Sequence, residues 1–307
     1  AAGNVTIPSN STVQLAQWVM PTAANTPEIK LRAPNGGTTY ISNNCKPARG
    51  SAMQQGSAYH LYAIWDGNEL YFTNSTFTPK SSTEPNPLSY VAEYNINQAG
   101  TDFVTGLTTC NISGYFNYND AVTQFSNIII GGKQFHLPST GEWSSIVPST
   151  QWVYYNTINS YDNQSEIVTV AGGNYTMTSD FRNNSATKTT YALRYKGTDL
   201  VSAWKYGYIG WNTNNCHLKI TSRSVYGQIV SIDNIADPTY WSSNSENDIV
   251  RYFPASGNDK VPSDVGKGGA FWSSTSGKIM GFTNGFASSH SSSNTYGFSV
   301  RLFTTSN

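Results

Sequence analysis

The chain of 307 residues is 38% hydrophobic and 12% charged, and its 18 basic and 18 acidic side chains give a formal net charge of zero. A nucleic-acid-binding protein usually carries excess Lys and Arg, and a protein that lies on a membrane surface usually has a basic amphipathic helix. Neither excess is present, so the composition argues against both kinds of partner. The length suits two domains or one large β-rich domain, either of which can bury a sizeable core.

Hydroxyl, amide and aromatic side chains take the place of charges. Ser, Thr and Asn together make up about a third of the residues, and aromatic residues make up 13%, including 20 Tyr and 8 Trp. This composition is typical of β-rich extracellular proteins that bind by hydrogen bonding and stacking. Every apolar run is shorter than the roughly 18 residues that a membrane-spanning helix needs, so the sequence predicts no membrane-spanning helix.

The chain begins Ala1-Ala2-Gly3 without a Met. Removal of a signal or lipid-attachment segment would give this start, and so would deliberate trimming of the sequence. With the composition, it leads us to expect a protein outside the cell, attached to the outer membrane.

Short strands separated by prolines and glycines are predicted over the first part of the chain, at residues 5–7, 11–19 and 28–31. The clearest hairpin joins residues 59–65 to residues 68–72 through Asp66-Gly67, because Asp-Gly supplies the two positive φ values of a type I′ turn. We expect a β-sandwich-like domain over residues 1–80. Pro79, Pro85 and Pro87 interrupt the following segment, which predicts a linker over residues 81–95.

Two short helices and several strands are predicted over residues 96–307. One helix covers residues 119–125, and a second begins at a capping box between Ser139 and Glu142, turns Trp143 into the core and ends near Pro148. Alternating or apolar runs predict strands at residues 167–170, 190–195, 216–220 and 297–303. In the last of these, Phe298, Val300 and Leu302 share one face, and Ser299 and Arg301 share the other.

The fold class follows from these elements: mainly β with a few short helices. An N-terminal β-sandwich-like domain would precede a C-terminal α+β domain.

Groups that could carry catalysis are scarce. The four His residues share no local motif with a Ser or Cys nucleophile, and none has the paired spacing of a zinc-binding helix. The glycine pairs at 131–132, 172–173 and 268–269 lack the pattern of a phosphate-binding loop and predict turns. The sequence therefore predicts no catalytic residue.

Metal ligands are likewise not indicated. Cys45, Cys110 and Cys216 are too widely spaced for a zinc motif; they form either one disulfide and a thiol or, as we favour, three buried unpaired cysteines. Glu84-Pro85-Asn86 matches a calcium-ligand tripeptide of C-type lectins, and Trp211-Asn212-Thr213 is close to the companion tripeptide but lacks its acidic residue. We interpret 84–86 as a turn and expect no metal or cofactor.

Aromatic residues beside Asn, Ser and Gly are the remaining candidates for binding, although most should be core residues. The segments that look most like loops are 241–244 and 290–296, and loops carry most binding residues. The predicted ligand-binding residues are Trp211, Trp241, Asn244, His290, Asn294 and Tyr296.

Three segments carry a resemblance to a known family: 135–143 (FHLPSTGEW), 190–220 with TYALRY and CHLKI, and 269–275 (GAFWSST) followed by 297–302 (GFSVRL). Over residues 96–307 the chain resembles the Fibrobacter succinogenes major paralogous domain. The resemblance implies a C-type-lectin-like fold, related to formylglycine-generating sulfatase modifiers and to variable domains diversified by retroelements. It implies framework roles for Trp143, Trp272 and Arg301. Enzymatic activity is not implied, because Cys216 has no near partner in the sequence for the reactive cysteine pair of those modifiers.

The front of the chain carries a second resemblance. Residues 59–70 (YHLYAIWDGNEL) are similar to strands in fimbrillin-like surface proteins of the Bacteroidales. Domains of that family accompany such C-terminal modules in lipid-anchored or pilus-associated adhesins.

These observations lead us to expect a non-enzymatic adhesion or recognition protein of the cell surface, such as a pilus tip or accessory subunit. Its partner would be a host or bacterial surface glycan or protein. An alternative is a structural pilin that assembles with other pilus subunits by strand exchange. A third alternative, a surface glycan hydrolase, needs two carboxylates about 5 to 10 Å apart in a cleft.

Overall fold

The protein is mainly β, and alternation of apolar and polar residues along its strands decides which face is buried. The computed structural model describes residues 86–149, 153–155, 160–226, 228, 230–242 and 245–305, and the backbone of four strands nearer the start of the sequence. The chain divides into two units, Ala1–Thr83 and Glu84–Asn307.

Two antiparallel strand pairs are described in the first unit. β1 (Ile29–Arg32) pairs with β2 (Thr39–Ser42), and β3 (Tyr62–Trp65) pairs with β4 (Leu70–Thr73). The second pair confirms the predicted hairpin but changes its register, since Trp65 pairs with Leu70 and a two-residue Asp66-Gly67 turn would pair it with Asn68. The strands predicted at 5–7 and 11–19 lie outside the described residues.

The second unit contains most of the described structure. Its helices are α1 (Tyr118–Phe125), α2 (Thr140–Ile146) and α3 (Ile232–Ala236), with 3-10 helices at Pro87–Tyr90, Pro238–Ser242, Ser245–Asn247 and Pro262–Asp264. Its strands are β5 (Ile128–Ile130), β6 (Lys133–Phe135), β7 (Val153–Tyr154), β8 (Ser160–Val170), β9 (Gly173–Asn184), β10 (Thr189–Lys196), β11 (Ser202–Ile209), β12 (His217–Ser224), β13 (Ile249–Pro254), β14 (Gly269–Trp272), β15 (Lys278–Phe282) and β16 (Phe286–Ser291). Within the described part of the chain, every helix is too short or too polar to cross a membrane.

Two antiparallel sheets dominate this unit. The larger has six strands in the order β13-β12-β11-β10-β9-β8, and the smaller has four in the order β14-β15-β16-β7. Neighbours in the larger sheet are consecutive in the chain: short connections join β8 through β12, and residues 225–248, which contain α3, join β12 to β13. Between β8 and β9, Ala171 and Gly172 both have positive φ (49° and 79°), as a type I′ turn requires.

The largest apolar core contains one face of the six-stranded sheet, α2 and part of the four-stranded sheet. Trp143 of α2 is fully buried there, and its indole nitrogen donates a hydrogen bond to the carbonyl oxygen of Trp272 at 3.0 Å. Trp272 is itself fully buried in β14. Both tryptophans therefore occupy the framework positions expected for them.

The two predicted helices and the capping box of the second are confirmed, and the cap of the first lies at Asn117, just before the predicted start at residue 119. Asn117 accepts a hydrogen bond from the Asp120 amide at the start of α1, at 2.9 Å. At the start of α2 the Ser139 hydroxyl accepts from the Glu142 amide at 3.2 Å, and the Glu142 carboxylate accepts from the Ser139 amide at 2.8 Å. These bonds satisfy amide groups that a helix leaves without partners.

The predicted strand at 297–303 is an extended segment without a continuous strand partner. It forms isolated bridges through Phe298, Ser299 and Phe303 to separate parts of the unit. Ser299 and Arg301, expected on a polar face, are fully buried. Phe298, Val300 and Leu302 pack in an apolar cluster with Trp272, and the Arg301 guanidinium lies 4.7 Å from the centre of the Phe253 ring, so both sides of the segment are covered.

Residues 86–95, part of the predicted linker, pack into the second unit. Asn86 accepts a hydrogen bond from the Leu88 amide and caps the 3-10 helix Pro87–Tyr90. Leu88 is fully buried, and the Ala92 amide donates to the carbonyl oxygen of Leu302 at 2.9 Å. Pro87 begins an ordered segment, because a proline at the first positions of a helix loses no hydrogen bond.

Candidate functional site

A shallow groove of about 340 Å³ lies on the second unit, between the loop after β11 and the sheet that contains β14, β15 and β16. Its apolar lining residues are Trp211, Ala270, Ile279, Phe282 and Phe286, its glycines are Gly257, Gly268, Gly269 and Gly281, and its polar residues are Asn258, Asp264, Lys267, Thr283, Asn284 and His290. Most of the polar residues carry amide, hydroxyl or imidazole groups, which suits a polar, largely uncharged ligand.

Trp211 is the exposed aromatic residue of the groove, with 47% of its surface accessible. The turn that presents it begins at Gly210 and continues through Asn212, both with positive φ (78° and 58°). The Asn212 amide donates to the carbonyl oxygen of Gly266 at 2.8 Å, which fastens the loop to the opposite wall. Underneath, the ring of Tyr208 lies 6.4 Å from that of Trp211, so the indole rests on a buried support.

Glycines form much of the groove floor because neighbouring atoms leave no room for a side chain. A Cβ at Gly269 would lie 2.5 Å from the Phe282 ring and 2.8 Å from the Pro254 carbonyl oxygen. A Cβ at Gly281 would lie 2.7 Å from Cε1 of His290. Both glycines are buried, so glycine is required at these positions by the close packing of β14, β15 and β16 beneath the groove.

His290 on β16 is half-buried at the groove wall. Its Nδ1 lies 3.0 Å from the Ser288 hydroxyl and 3.3 Å from the Ser288 carbonyl oxygen. Burial lowers the pKa of His290, the nearby charge of Lys278 lowers it further, and the bond to the Ser288 backbone offsets part of the shift. The ring is consequently neutral at pH 7, with one nitrogen able to donate and the other able to accept.

One carboxylate, Asp264, is among the residues that line the groove. It lies near an ordered turn in which the Asn258 side-chain oxygen accepts bonds from the amides of Lys260 and Val261 at 3.0 and 2.9 Å. Lys267 brings a positive charge to the same wall, and its amide donates to the Asp264 carbonyl oxygen at 2.9 Å. The lining thus carries charges of both signs beside neutral polar groups.

The fold brings two of the predicted ligand-binding residues together, since Trp211 and His290 both line this groove. Asn294 is exposed outside the groove. Its side chain accepts a hydrogen bond from the Gly277 amide and donates one to the Ser276 hydroxyl, both at 3.0 Å. Tyr296 stacks on Phe298, with ring centroids 5.6 Å apart. These two residues hold local structure and do not line the groove.

Trp241 corrects the expectation of an exposed binding loop. It lies in the 3-10 helix Pro238–Ser242, only 8% exposed, and its indole nitrogen donates to the Ile235 carbonyl oxygen at 2.9 Å. The apolar faces of α3 and of Tyr191 and Leu193 in β10 cover it. Asn244 lies outside the described residues.

Two other features were missed in the sequence. His136, which looked isolated, lies 2.6 Å from the Glu142 carboxylate at the start of α2. Burial opposes the charge of Glu142, but hydrogen bonds from His136 and the Ser139 amide outweigh it and lower the pKa of Glu142. The spacing of six residues between His136 and Glu142, with the capping box between them, was the available signal.

Cys216 also has a neighbour that the sequence does not show. Cys110, 106 positions earlier, places its sulfur 3.1 Å from the carbonyl oxygen of Cys216. Both thiols are unpaired and buried, as favoured, while Cys45 lies outside the described residues. Within the parts of the chain that the structure describes, no three His, Cys, Asp or Glu residues lie together as metal ligands would.

A second groove of about 350 Å³ lies beside β9 and α3, lined by Arg182, Asn183, Asn184, Ser185, Ala186, Tyr191 and Ala236. The guanidinium of Arg182 already contacts Asp162 at 2.6 Å and Asp233 at 3.0 Å. Because its cation is neutralised and no aromatic ring is exposed there, this groove is a weaker candidate than the first.

Comparison with known proteins gives one match. A family described as a domain of unknown function (DUF8237) matches residues 83–303. Searches of curated proteins and of solved structures found no match. The lectin-like fold and the fimbrillin-like front therefore stay predictions from the sequence. The family match covers well over half of the chain and begins close to the boundary between the two units, so the protein belongs to the DUF8237 family.

Proposed function

We propose that this protein is a non-enzymatic recognition protein of the cell surface that binds a carbohydrate in the groove beside Trp211. The observation that carries the proposal is the exposed indole of Trp211 at the mouth of a groove lined by amide, hydroxyl and imidazole groups. Sugar rings have apolar faces that stack on aromatic rings and hydroxyl edges that bond to such polar groups.

The shape and charge of the groove support the same proposal. A shallow groove accommodates part of a chain of sugars or its end. The protein has no net charge, and its groove has charges of both signs, so binding should depend weakly on salt. A glycan partner on a host or bacterial surface fits this chemistry better than a strongly charged polymer.

Replacement of the indole tests the proposal. The Trp211→Ala protein should lose about tenfold or more in affinity on a glycan array, because stacking and apolar contact at such a site contribute on the order of 1.5 kcal/mol. Ile209→Ala is the matched control, since Ile209 is 45% exposed on the same hairpin but does not line the groove.

Equal binding by wild type and Trp211→Ala would refute the groove assignment. Release of reducing sugar from a bound glycan would instead support the hydrolase alternative, with Asp264 the first carboxylate to replace.

A second candidate function, assembly by strand addition, has one observation in its favour. β8 is an eleven-residue strand at the edge of the six-stranded sheet, and its Ile167 is 72% exposed. Exposed edges can accept a further strand. The test is light scattering as a function of concentration; polymers abolished by Ile167→Lys support assembly, and a monomer at all concentrations contradicts it.

A further inference from the structure

The structure brings together two buried thiols that are distant in sequence. Cys110 lies between β4 and α1 in the chain, and Cys216 immediately precedes β12. The backbone amide of Cys110 donates to the Asn214 carbonyl oxygen at 2.9 Å, and its sulfur lies 3.1 Å from the Cys216 carbonyl oxygen. The two segments are therefore fastened side by side at the position of the cysteines.

The neighbouring bonds lead from Cys216 to the groove. Its sulfur donates to the Tyr208 hydroxyl at 3.1 Å, and that hydroxyl donates to the carbonyl oxygen of Lys267, a groove residue, at 2.9 Å. The Cys216 amide also donates to the Thr213 carbonyl oxygen at 3.1 Å and closes the loop that carries Trp211. A constraint at Cys216 therefore acts on the loop that carries Trp211 through this backbone bond, whereas disulfide formation removes the thiol hydrogen that Cys216 donates to Tyr208.

We propose that Cys110 and Cys216 are a disulfide-forming pair whose bond clamps the Trp211 loop to the segment around residue 110. Three covalent bonds separate the carbonyl oxygen of Cys216 from its Cβ, so a change of rotamer brings its sulfur towards that of Cys110. The bond does not depend on a carbohydrate ligand, and its presence or absence leaves the proposed function to be tested separately.

The reaction is a thiol–disulfide exchange with a disulfide-bearing oxidant. One thiolate attacks the oxidant's sulfur and forms a mixed disulfide; the second thiolate then attacks the protein sulfur and expels the rest of the oxidant as a thiol. Two protein thiols lose two electrons and two protons, and the oxidant's disulfide becomes two thiols.

Burial of the two thiols determines the stage of folding at which the disulfide can form. Desolvation raises the pKa of both thiols, and the Tyr208 and backbone hydrogen bonds offset it only in part. A buried thiol with a raised pKa reacts slowly, since the thiolate is the nucleophile. The exchange therefore takes place during folding, before the two segments close.

The experiment refolds the full chain in a glutathione redox buffer or in excess reductant, blocks remaining thiols by alkylation, and maps unreduced peptides by mass spectrometry. We expect a peptide pair joined through Cys110 and Cys216 in the redox buffer, with Cys45 alkylated. The cross-linked protein should unfold about 5 °C higher than the reduced protein, because the bond closes a long loop. Amide exchange in residues 210–215 should be about tenfold slower.

Cys45→Ser is the matched control and should keep the cross-link, the thermal shift and the slower exchange. Cys110→Ser and Cys216→Ser should lose all of them. If neither serine variant folds, the peptide map of the wild type still decides the question. Alkylation of both Cys110 and Cys216 after refolding in the redox buffer, or a cross-link from either of them to Cys45, would overturn the proposal.

Discussion

Two arginines, Arg194 in β10 and Arg301 in the extended segment at 297–303, are completely buried, and their surroundings compensate the charge differently. Arg194 faces the carboxylate of Glu166 at 3.2 Å. Its remaining donors reach the carbonyl oxygens of Ser144 and Ser145, at 2.7 and 3.0 Å, near the C-terminus of α2. This arginine thus forms a neutral pair and also holds the negative end of a helix dipole.

Arg301 is held by neutral oxygens instead. It donates to the Asn95 side chain at 2.7 Å and to the carbonyl oxygens of Ala92, Glu93 and Tyr252 at 2.8, 2.7 and 2.7 Å. These bonds satisfy its donors by dipoles alone, with no carboxylate among its hydrogen-bond partners in the described structure. The guanidinium therefore remains a buried net charge.

The two pKa values move in opposite directions as a result. For Arg194, burial favours the neutral form, but the charge of Glu166 outweighs it and raises the pKa. For Arg301, burial lowers the pKa, the charge of Arg251 lowers it further, and Glu93 offsets only part of the effect. A buried guanidinium in this protein can thus join distant segments in two ways: as one member of an ion pair, or by donating hydrogen bonds to several carbonyl oxygens.

The largest expected effect is that of Arg194→Met, which leaves the Glu166 carboxylate buried with the Ser179 hydroxyl, 2.6 Å away, as its remaining described partner. Losing one member of a buried ion pair should cost about 4 kcal/mol of the free energy of unfolding. Urea unfolding followed by tryptophan fluorescence measures it.

The matched control removes both charges. Arg194→Met combined with Glu166→Gln should regain more than half of the lost stability, because no uncompensated charge remains. A double variant no more stable than the single one would show that the lost contacts with α2, and not the unpaired buried charge of Glu166, cause the loss of stability.

Arg301→Met should have a smaller effect, about 2 kcal/mol, because it leaves only neutral acceptors without donors. The same urea titration gives the comparison directly. A loss larger than that of Arg194→Met would contradict the distinction between the two arginines. It would indicate that hydrogen bonds to carbonyl groups provide most of the stabilisation at both Arg194 and Arg301.

The smallest effect is expected at the other end of α2. Glu142→Gln should cost about 1 kcal/mol at pH 7, since it replaces charge-assisted bonds to His136 and the Ser139 amide by neutral ones. The pKa of Glu142 is lower in the folded protein, so its stabilisation is fully present above its ordinary value of 4.5 and is lost as the pH falls through the folded value.

Unfolding free energies measured from pH 7 to pH 3 should thus converge for wild type and Glu142→Gln at the acid end. Glu246→Gln, at an exposed glutamate, is the control and should parallel the wild type throughout. Parallel curves for Glu142→Gln would show that the carboxylate titrates normally.

Local features of the fold could be predicted from the sequence. The capping box at Ser139 and the predicted segments of β8, β10 and β12 depend on residues within a few positions of one another. The pairs that hold the layers together could not, because Arg194 and Glu166 are 28 positions apart and Arg301 and Asn95 are 206 apart. Alternation of apolar and polar residues predicted that Arg301 lies on a polar face, and only the tertiary structure shows that this face is buried.

The groove likewise combines residues that the sequence marked as candidates with residues that it did not. Composition marked Trp211 and His290 as candidates, but the other groove residues come from segments distant in sequence, such as Asn258 and Asp264, and carried no signal of their own. Trp241 was misjudged because its polar neighbours suggested a loop. The apolar spacing of Ile232 and Ile235 just before it was the signal that a small helix would cover the indole.

The extended segment around Arg301 also has a consequence for the order of folding. The Ile96 amide donates to the Val300 carbonyl oxygen at 3.0 Å, and the Thr304 amide donates to the Tyr90 carbonyl oxygen at 2.9 Å. The first and last segments of the second unit are thus each other's partners. Until residues near 300 have been synthesised, the start of this unit lacks these backbone partners. We therefore expect the pairing of the first and last segments to form after the local strand pairs between them, because contacts between residues distant in sequence form more slowly.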